Sequence, residues 1–319
     1  MPILNGLAAI LAWLGRQGTR ALACSIFLGL AVPSLAAYVK PYLGETVFVL
    51  LLFSYLRTDP NAFRSYLRAP GLAIVAALWV MLALPLLFGT IYSFIGLRAV
   101  PALYTIMILH IAIAPITSSA AFAALMGLDV ALSLMTLILA SAISPVTTVA
   151  FSYWFLGTSL FSPIELGIKL FLFFAASGVV AYAIRRIAGQ PRIERQKDVI
   201  DGLNVLAVFA FAIAAMDGVP KMVMADPLLA LELLALIVVV TCALAGVSAL
   251  LFIRAGANRA LVIALLAAFR NLGVVMAALG AALPHLAWLY FALAQFPIFL
   301  MPALLKPLAR RLQEASAKA

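Results

Sequence analysis

One arginine, Arg270, stands inside a long apolar run, with Asn271 beside it and Gly273 just beyond. A guanidinium is planar, permanently charged and offers five N–H donors in a fixed fork that matches a carboxylate. Placing it in the middle of a bilayer costs from about 2.5 to well above 10 kcal/mol, so it needs water, an internal partner or a bound anion. Its own segment holds no carboxylate, which leaves pairing with Glu232, Asp217 or Asp129, or a bound organic anion gripped together with Asn271. A second polar interruption is Ala114-Pro-Ile-Thr-Ser-Ser119. Pro115 lacks an N–H and displaces the helix before it, which frees carbonyls. Thr117, Ser118 and Ser119 follow and offer hydroxyls to an ion or substrate, while the restarting helix aims N–H groups at the same place. The competing reading is a proline kink whose hydroxyls bond back to the helix. His110 lies just before this break; an imidazole titrates near neutral pH and so suits proton transfer, or it is a hydrogen-bonded packing residue.

Other chemistry has little support. Cys24 and Cys242 sit in separate apolar runs, so neither a disulfide framework nor a thiolate metal site is indicated. No nucleotide-binding loop, metal-ligand cluster or catalytic triad is present, so the expectation is no enzyme, no ATP-driven pump, no cofactor and no metal. Glu165 and Lys169, four apart, read as a local helical pair, and Asp129 reads as a helix N-cap.

The segments that hold these residues are set by composition. The 319 residues are 66% hydrophobic and 10% charged, with a mean hydropathy of +1.19. Soluble domains carry about 25% charged residues. The chain is therefore expected to be an all-α polytopic membrane protein partnered by the lipid bilayer, and its excess of 21 Lys+Arg over 11 Asp+Glu concerns topology rather than nucleic acid. Apolar runs place about ten transmembrane helices, at 20–38, 42–56, 70–90, 97–126, 129–156, 163–184, 199–216, 227–253, 259–283 and 286–305. A surface segment over 1–19 precedes them, an interfacial helix over 57–68 separates the second and third, and a tail over 309–319 follows.

With ten spans the termini share one face. Lys40, Arg98 and Lys221 lie on the other face and Lys169 and Arg270 within spans, so most of the 21 basic residues share the termini's side. Basic loops stay cytoplasmic, which puts both termini inside a cytoplasmic (inner) membrane. The chain is expected to divide into a first five-helix repeat over 20–184 and a second over 199–308, joined by the basic linker 185–198, although six of the ten runs precede the linker and four follow it. Five spans per half would make the halves oppositely oriented, hence two inverted five-helix repeats, with the interruptions in the fourth and ninth spans.

The stretch Ala114-Pro-Ile-Thr-Ser-Ser-Ala-Ala-Phe-Ala-Ala-Leu-Met-Gly-Leu-Asp-Val-Ala-Leu-Ser133 resembles the bile acid:sodium symporter family, in which a Pro-Gly-Gly-Thr-x-Ser-Asn crossover precedes a Gly-Asp/Asn-Val-Ala-Leu-Ser run. Arg68-Ala-Pro70 leading to Leu84-Pro85 is similar to that family's interfacial helix and third span, and Leu266-Ala-Ala-Phe-Arg-Asn271 falls where it has Glu-x-Gly-x-Gln-Asn. The resemblance implies a panel domain and a core domain, with broken fourth and ninth helices crossing near mid-membrane. It implies that Thr117 and Asn271 contact substrate and that Ser119 and Ser133 lie at one sodium site. The sodium-binding Glu and Gln of the family become Leu266 and Arg270. Two sodium ions with one glutamate carry a net charge of +1, and so does Arg270 beside Leu266. The expectation is a secondary transporter of a small organic anion, with Arg270 standing in for sodium and weak or absent sodium coupling. The alternative is a non-transporting membrane sensor or subunit that kept the fold. Substrate identity and oligomeric state are not encoded in these patterns.

Overall fold

A computed structural model describes residues 9–11, 13, 27–56, 70–158 and 161–318, with side chains except at 281, 299, 302–305 and 308–318. The expected surface segment over 1–19 lies largely, and the interfacial helix over 57–68 wholly, outside the described residues. The protein is an all-helical membrane protein: among the described residues the only strand-like pairing is one isolated bridge. In chain order the helices are α1 (Pro33–Val39), α2 (Leu43–Leu56), α3 (Gly71–Leu78), α4 (Leu84–Phe94), α5 (Pro101–Ala112), α6 (Ser119–Met126), α7 (Val130–Leu156), α8 (Pro163–Ala188), α9 (Gln190–Arg195), α10 (Lys197–Ala215), α11 (Val219–Ala225), α12 (Pro227–Phe252), α13 (Ala257–Ala268), α14 (Leu272–Leu279) and α15 (His285–Lys318).

Six stretches among the described residues are long and apolar enough to cross a membrane: Pro33–Leu56, Gly71–Phe94, Val130–Leu156, Pro163–Ala188, Lys197–Ala225 and Pro227–Ala255. The first two expected spans meet in one of these stretches, through a 3₁₀ turn over Lys40–Tyr42. The two interrupted spans do not qualify because each is cut short. Their leading parts, α5 and α13, are apolar helices of 12 residues, about 18 Å at 1.5 Å per residue.

The chain forms two compact units, each made of two segments. The first comprises Met1–Thr58 and Leu172–Ala230. In it α1 and α2 pack on α10, and the Lys40 ammonium meets the Asp217 carboxylate at 2.8 Å. The second comprises Asp59–Phe171 and Leu231–Ala319 and holds both interrupted spans. Its backbone is α7, a 27-residue helix against which α3, α5, α6 and α13 pack. Its start is fixed by Asp129, whose Oδ1 accepts from the Leu132 N–H at 2.9 Å, the N-cap read from the sequence. The turn before it ends α6 with Gly127 at φ 72°, a left-handed position that costs glycine nothing. The Asn258 Oδ1 at the start of α13 accepts from the Asp129 N–H at 2.8 Å and so ties this turn to the second interrupted span.

Candidate functional site

Both interruptions are complete breaks in the helical ladder, and they meet. α5 stops at Ala112, with Ile113 extended, and the helix restarts as α6 at Ser119. α13 stops at Ala268, with Phe269 extended, and restarts as α14 at Leu272. The two extended pieces run antiparallel, with Pro115 opposite Arg270. The Ile116 N–H donates to the Phe269 carbonyl and the Asn271 N–H to the Ala114 carbonyl, both at 2.9 Å. Pro115 therefore occupies the pair whose own N–H groups take no part in the bridge, and its missing donor costs nothing.

Ending a helix leaves carbonyls without partners. At the first break α7 meets one carbonyl and one amide: Thr148 Oγ1 donates to the Ala112 carbonyl at 2.9 Å and Ser144 Oγ accepts from the Ala114 N–H at 3.2 Å. Residues four apart on a helix share a face, and these two hydroxyls also touch each other at 3.2 Å.

Arg270 takes the rest. It is 0% exposed. Its Nε donates to the Ala267 carbonyl at 2.9 Å, Nη1 to the Ile113 carbonyl at 3.0 Å, and Nη2 to the Val80 carbonyl at 2.9 Å. Nη1 also reaches Met81 Sδ at 3.8 Å. Ala267 and Ile113 are final carbonyls of α13 and α5, where the helix dipole is negative and favours a cation. Val80 is free for a different reason. Between α3 and α4 the helix widens into a π turn over Trp79–Ala83, with the Leu84 N–H donating to the Trp79 carbonyl. In that i to i−5 pattern the donor due to Val80 belongs to Pro85, which has none.

This geometry changes the roles read from the sequence. Glu232, Asp217 and Asp129 are not the partners of Arg270; backbone carbonyls are, and among the described residues no carboxylate bonds it. Four of its five N–H groups are engaged, so the gripping fork expected for a substrate carboxylate is already filled. Thr117 and Ser118 are partly exposed at the crossing, whereas Ser119 is fully buried with its hydroxyl donating to the Ile116 carbonyl. Asn271 is 9% exposed. Ser118 and Asn271 are the N-cap residues of α6 and α14, and neither side chain caps its helix. Ser and Asn normally do, because the first N–H groups lack partners. Two helix N-termini thus lack a side-chain cap, with a hydroxyl and an amide beside them, while the Ser119, Leu272 and Val274 N–H groups donate to the Ile116, Arg270 and Asn271 carbonyls.

Of the other expected residues, Ser133 is fully buried and its hydroxyl has no partner among the described residues, as is true of Thr136 one turn on. Leu266 is fully buried in α13, and α6, α7 and α13 pack on one another. His110 Nδ1 lies 2.7 Å from the Tyr290 hydroxyl, with the rings edge to face at 5.6 Å. No motif in the sequence points to Val80, Tyr92 or Tyr290. The Tyr92 hydroxyl is buried without a partner among the described residues. Pro85 was the one available signal for the Val80 carbonyl. Among the described residues no group of His, Cys, Asp and Glu could hold a metal ion. The chain matches no family model and no curated relative.

Proposed function

We propose that the chain is a secondary carrier of a small organic anion, working by alternating access with weak or absent sodium coupling. The observation that carries this reading is the division of labour at the crossing. The negative C-terminal ends of α5 and α13 are held by the Arg270 guanidinium, while the positive N-terminal ends of α6 and α14 carry no side-chain cap. An anion is the complement of two such N-termini. Asn271, Ser118 and Thr117 hold it, and Arg270 acts from behind by its charge rather than as a ligand. In the resembling family, sodium supplies that charge.

The orphaned hydroxyls of Ser133 and Thr136 beside an apolar Leu266 fit an ion site that has lost its carboxylate. The grouping of segments supports an inverted repeat whose boundary falls before α8 rather than at the linker 185–198: with the ten runs taken as five and five in chain order, the compact unit with α1 and α2 takes most of α8 and all of α10, the first two of each half, and the other unit takes nearly all of the last three of each. Ten crossings, cytoplasmic termini and an inner-membrane location belong to the same proposal.

The experiment is flux of a panel of monocarboxylates into proteoliposomes, with sodium present or replaced by choline. A saturable flux that changes by less than about tenfold supports the reading, that factor being ~1.4 kcal/mol of coupling. A larger loss in choline removes the stand-in role of Arg270. Ligand binding without any flux favours the sensor.

A further inference from the structure

We propose that the segment joining α8 to α10 is a binding site for the headgroups of anionic phospholipids. The inference is independent of what the protein carries. It starts from four basic side chains, Arg186, Arg192, Arg195 and Lys197, all exposed within twelve residues of chain. None forms an ion pair or hydrogen bond among the described residues. The acids in the same stretch are Glu194, which accepts from Gln190 Nε2 at 3.0 Å, and Asp198; positive charge prevails.

Two features fix where these charges sit. Arg185, their neighbour, is turned inward: its Nη2 donates to the Tyr55 and Leu56 carbonyls at 3.1 and 3.0 Å, closing the C-terminal end of α2. Ile193, in the middle of α9, is buried against Leu56 and Ala181, with Leu52, Phe53, Ala188 and Ile200 around it. The short helix is thus pinned across the ends of α2 and α8, and its arginines point away from that contact.

The flanking residues name the partner. On the last turns of α8, Tyr182 is 67% and Ile187 86% exposed. A bare tyrosine and isoleucine at the end of a membrane helix belong at the boundary between acyl chains and headgroups. A cluster of four basic groups that pair with no described residue, immediately beyond that boundary, meets the phosphates of acidic lipids. A soluble polyanion would be met by the charges but not by the apolar rim.

The test uses the full-length protein in detergent. Phosphatidylglycerol or phosphatidylcholine is titrated in, with melting temperature and lipid retention in native mass spectrometry as readouts. Phosphatidylglycerol is expected to be retained and to raise the melting temperature, with phosphatidylcholine inert. The R186Q/R192Q/R195Q/K197Q variant should need about tenfold more phosphatidylglycerol or fail to respond, and R254Q/R259Q, which removes exposed charges elsewhere, should respond as wild type. The single substitution Arg192→Glu, too small to endanger folding, should weaken retention in the same direction. Equal shifts with phosphatidylcholine, an undiminished response in both cluster variants, an equal loss in R254Q/R259Q, or a matching effect of inorganic phosphate would each overturn the proposal.

Discussion

A buried guanidinium with no acid beside it is tolerable at position 270 because the three carbonyls it meets have lost their ladder partners for separate reasons. Ile113 and Ala267 end helices, and Val80 faces a proline. Replacing Arg270 with Gln strands at least two of them and is expected to cost about 3 kcal/mol or more. A melt of the purified variant measures this, and a loss under 1 kcal/mol would mean that the carbonyls find other partners. Arg270→Lys should do little better, since one ammonium on a flexible stem cannot reproduce a planar fork spanning three acceptors. Ser133 and Thr136 work in the opposite direction. Each buries a hydroxyl with nothing to bond, so Ser133→Ala should be neutral or stabilise by about 1 kcal/mol. If it destabilises in sodium buffer and not in choline, a working sodium site is present and the vestige reading fails.

The two breaks depend on their neighbours as much as on their own prolines and glycines. Ser144 and Thr148 supply the first break with one acceptor and one donor and also touch each other. Removing either, as Ser144→Ala or Thr148→Val, should cost about 1–2 kcal/mol, and the double variant less than the sum, since the first loss already undoes the pair. Strict additivity in a double-mutant cycle would show that they act separately. The positions of both breaks could be read from Pro115 and from the Arg-Asn pair before Gly273, because interruptions in apolar runs are a one-dimensional signal. The N-cap at Asp129 was as plain. The antiparallel bridge from Pro115 to Arg270 was not, since it joins residues 155 apart in sequence. The direction of Arg270 was hidden for a related reason: a carboxylate is an obvious partner in a sequence, whereas a carbonyl belongs to every residue and becomes available only when its own donor goes missing. Pro85 announces one such loss, and recognising it requires knowing that the helix there has widened by a residue.

For the proposed carrier as a unit, the expected outcome is indifference to sodium, and exchanging the charges back tests it. An L266E/R270Q variant restores the residue types of the resembling family at both positions and keeps the net charge only if cations bind. Its stability and flux should therefore rise with sodium by at least about tenfold in apparent affinity for the anion, while the parent stays flat. A double variant that ignores sodium would show that the remaining hydroxyls no longer form an ion site. In the proposed role, in which Arg270 spares the protein an external cation, the arginine also has an energetic consequence. A charge bonded to the chain never dissociates, so it enters from neither side and leaves toward neither. It can tighten the hold on cargo, yet it conveys no free energy from an ionic imbalance. Left to this device alone, a carrier of the proposed kind would level concentrations rather than build them, and accumulation against a gradient would require some other species to travel with the cargo.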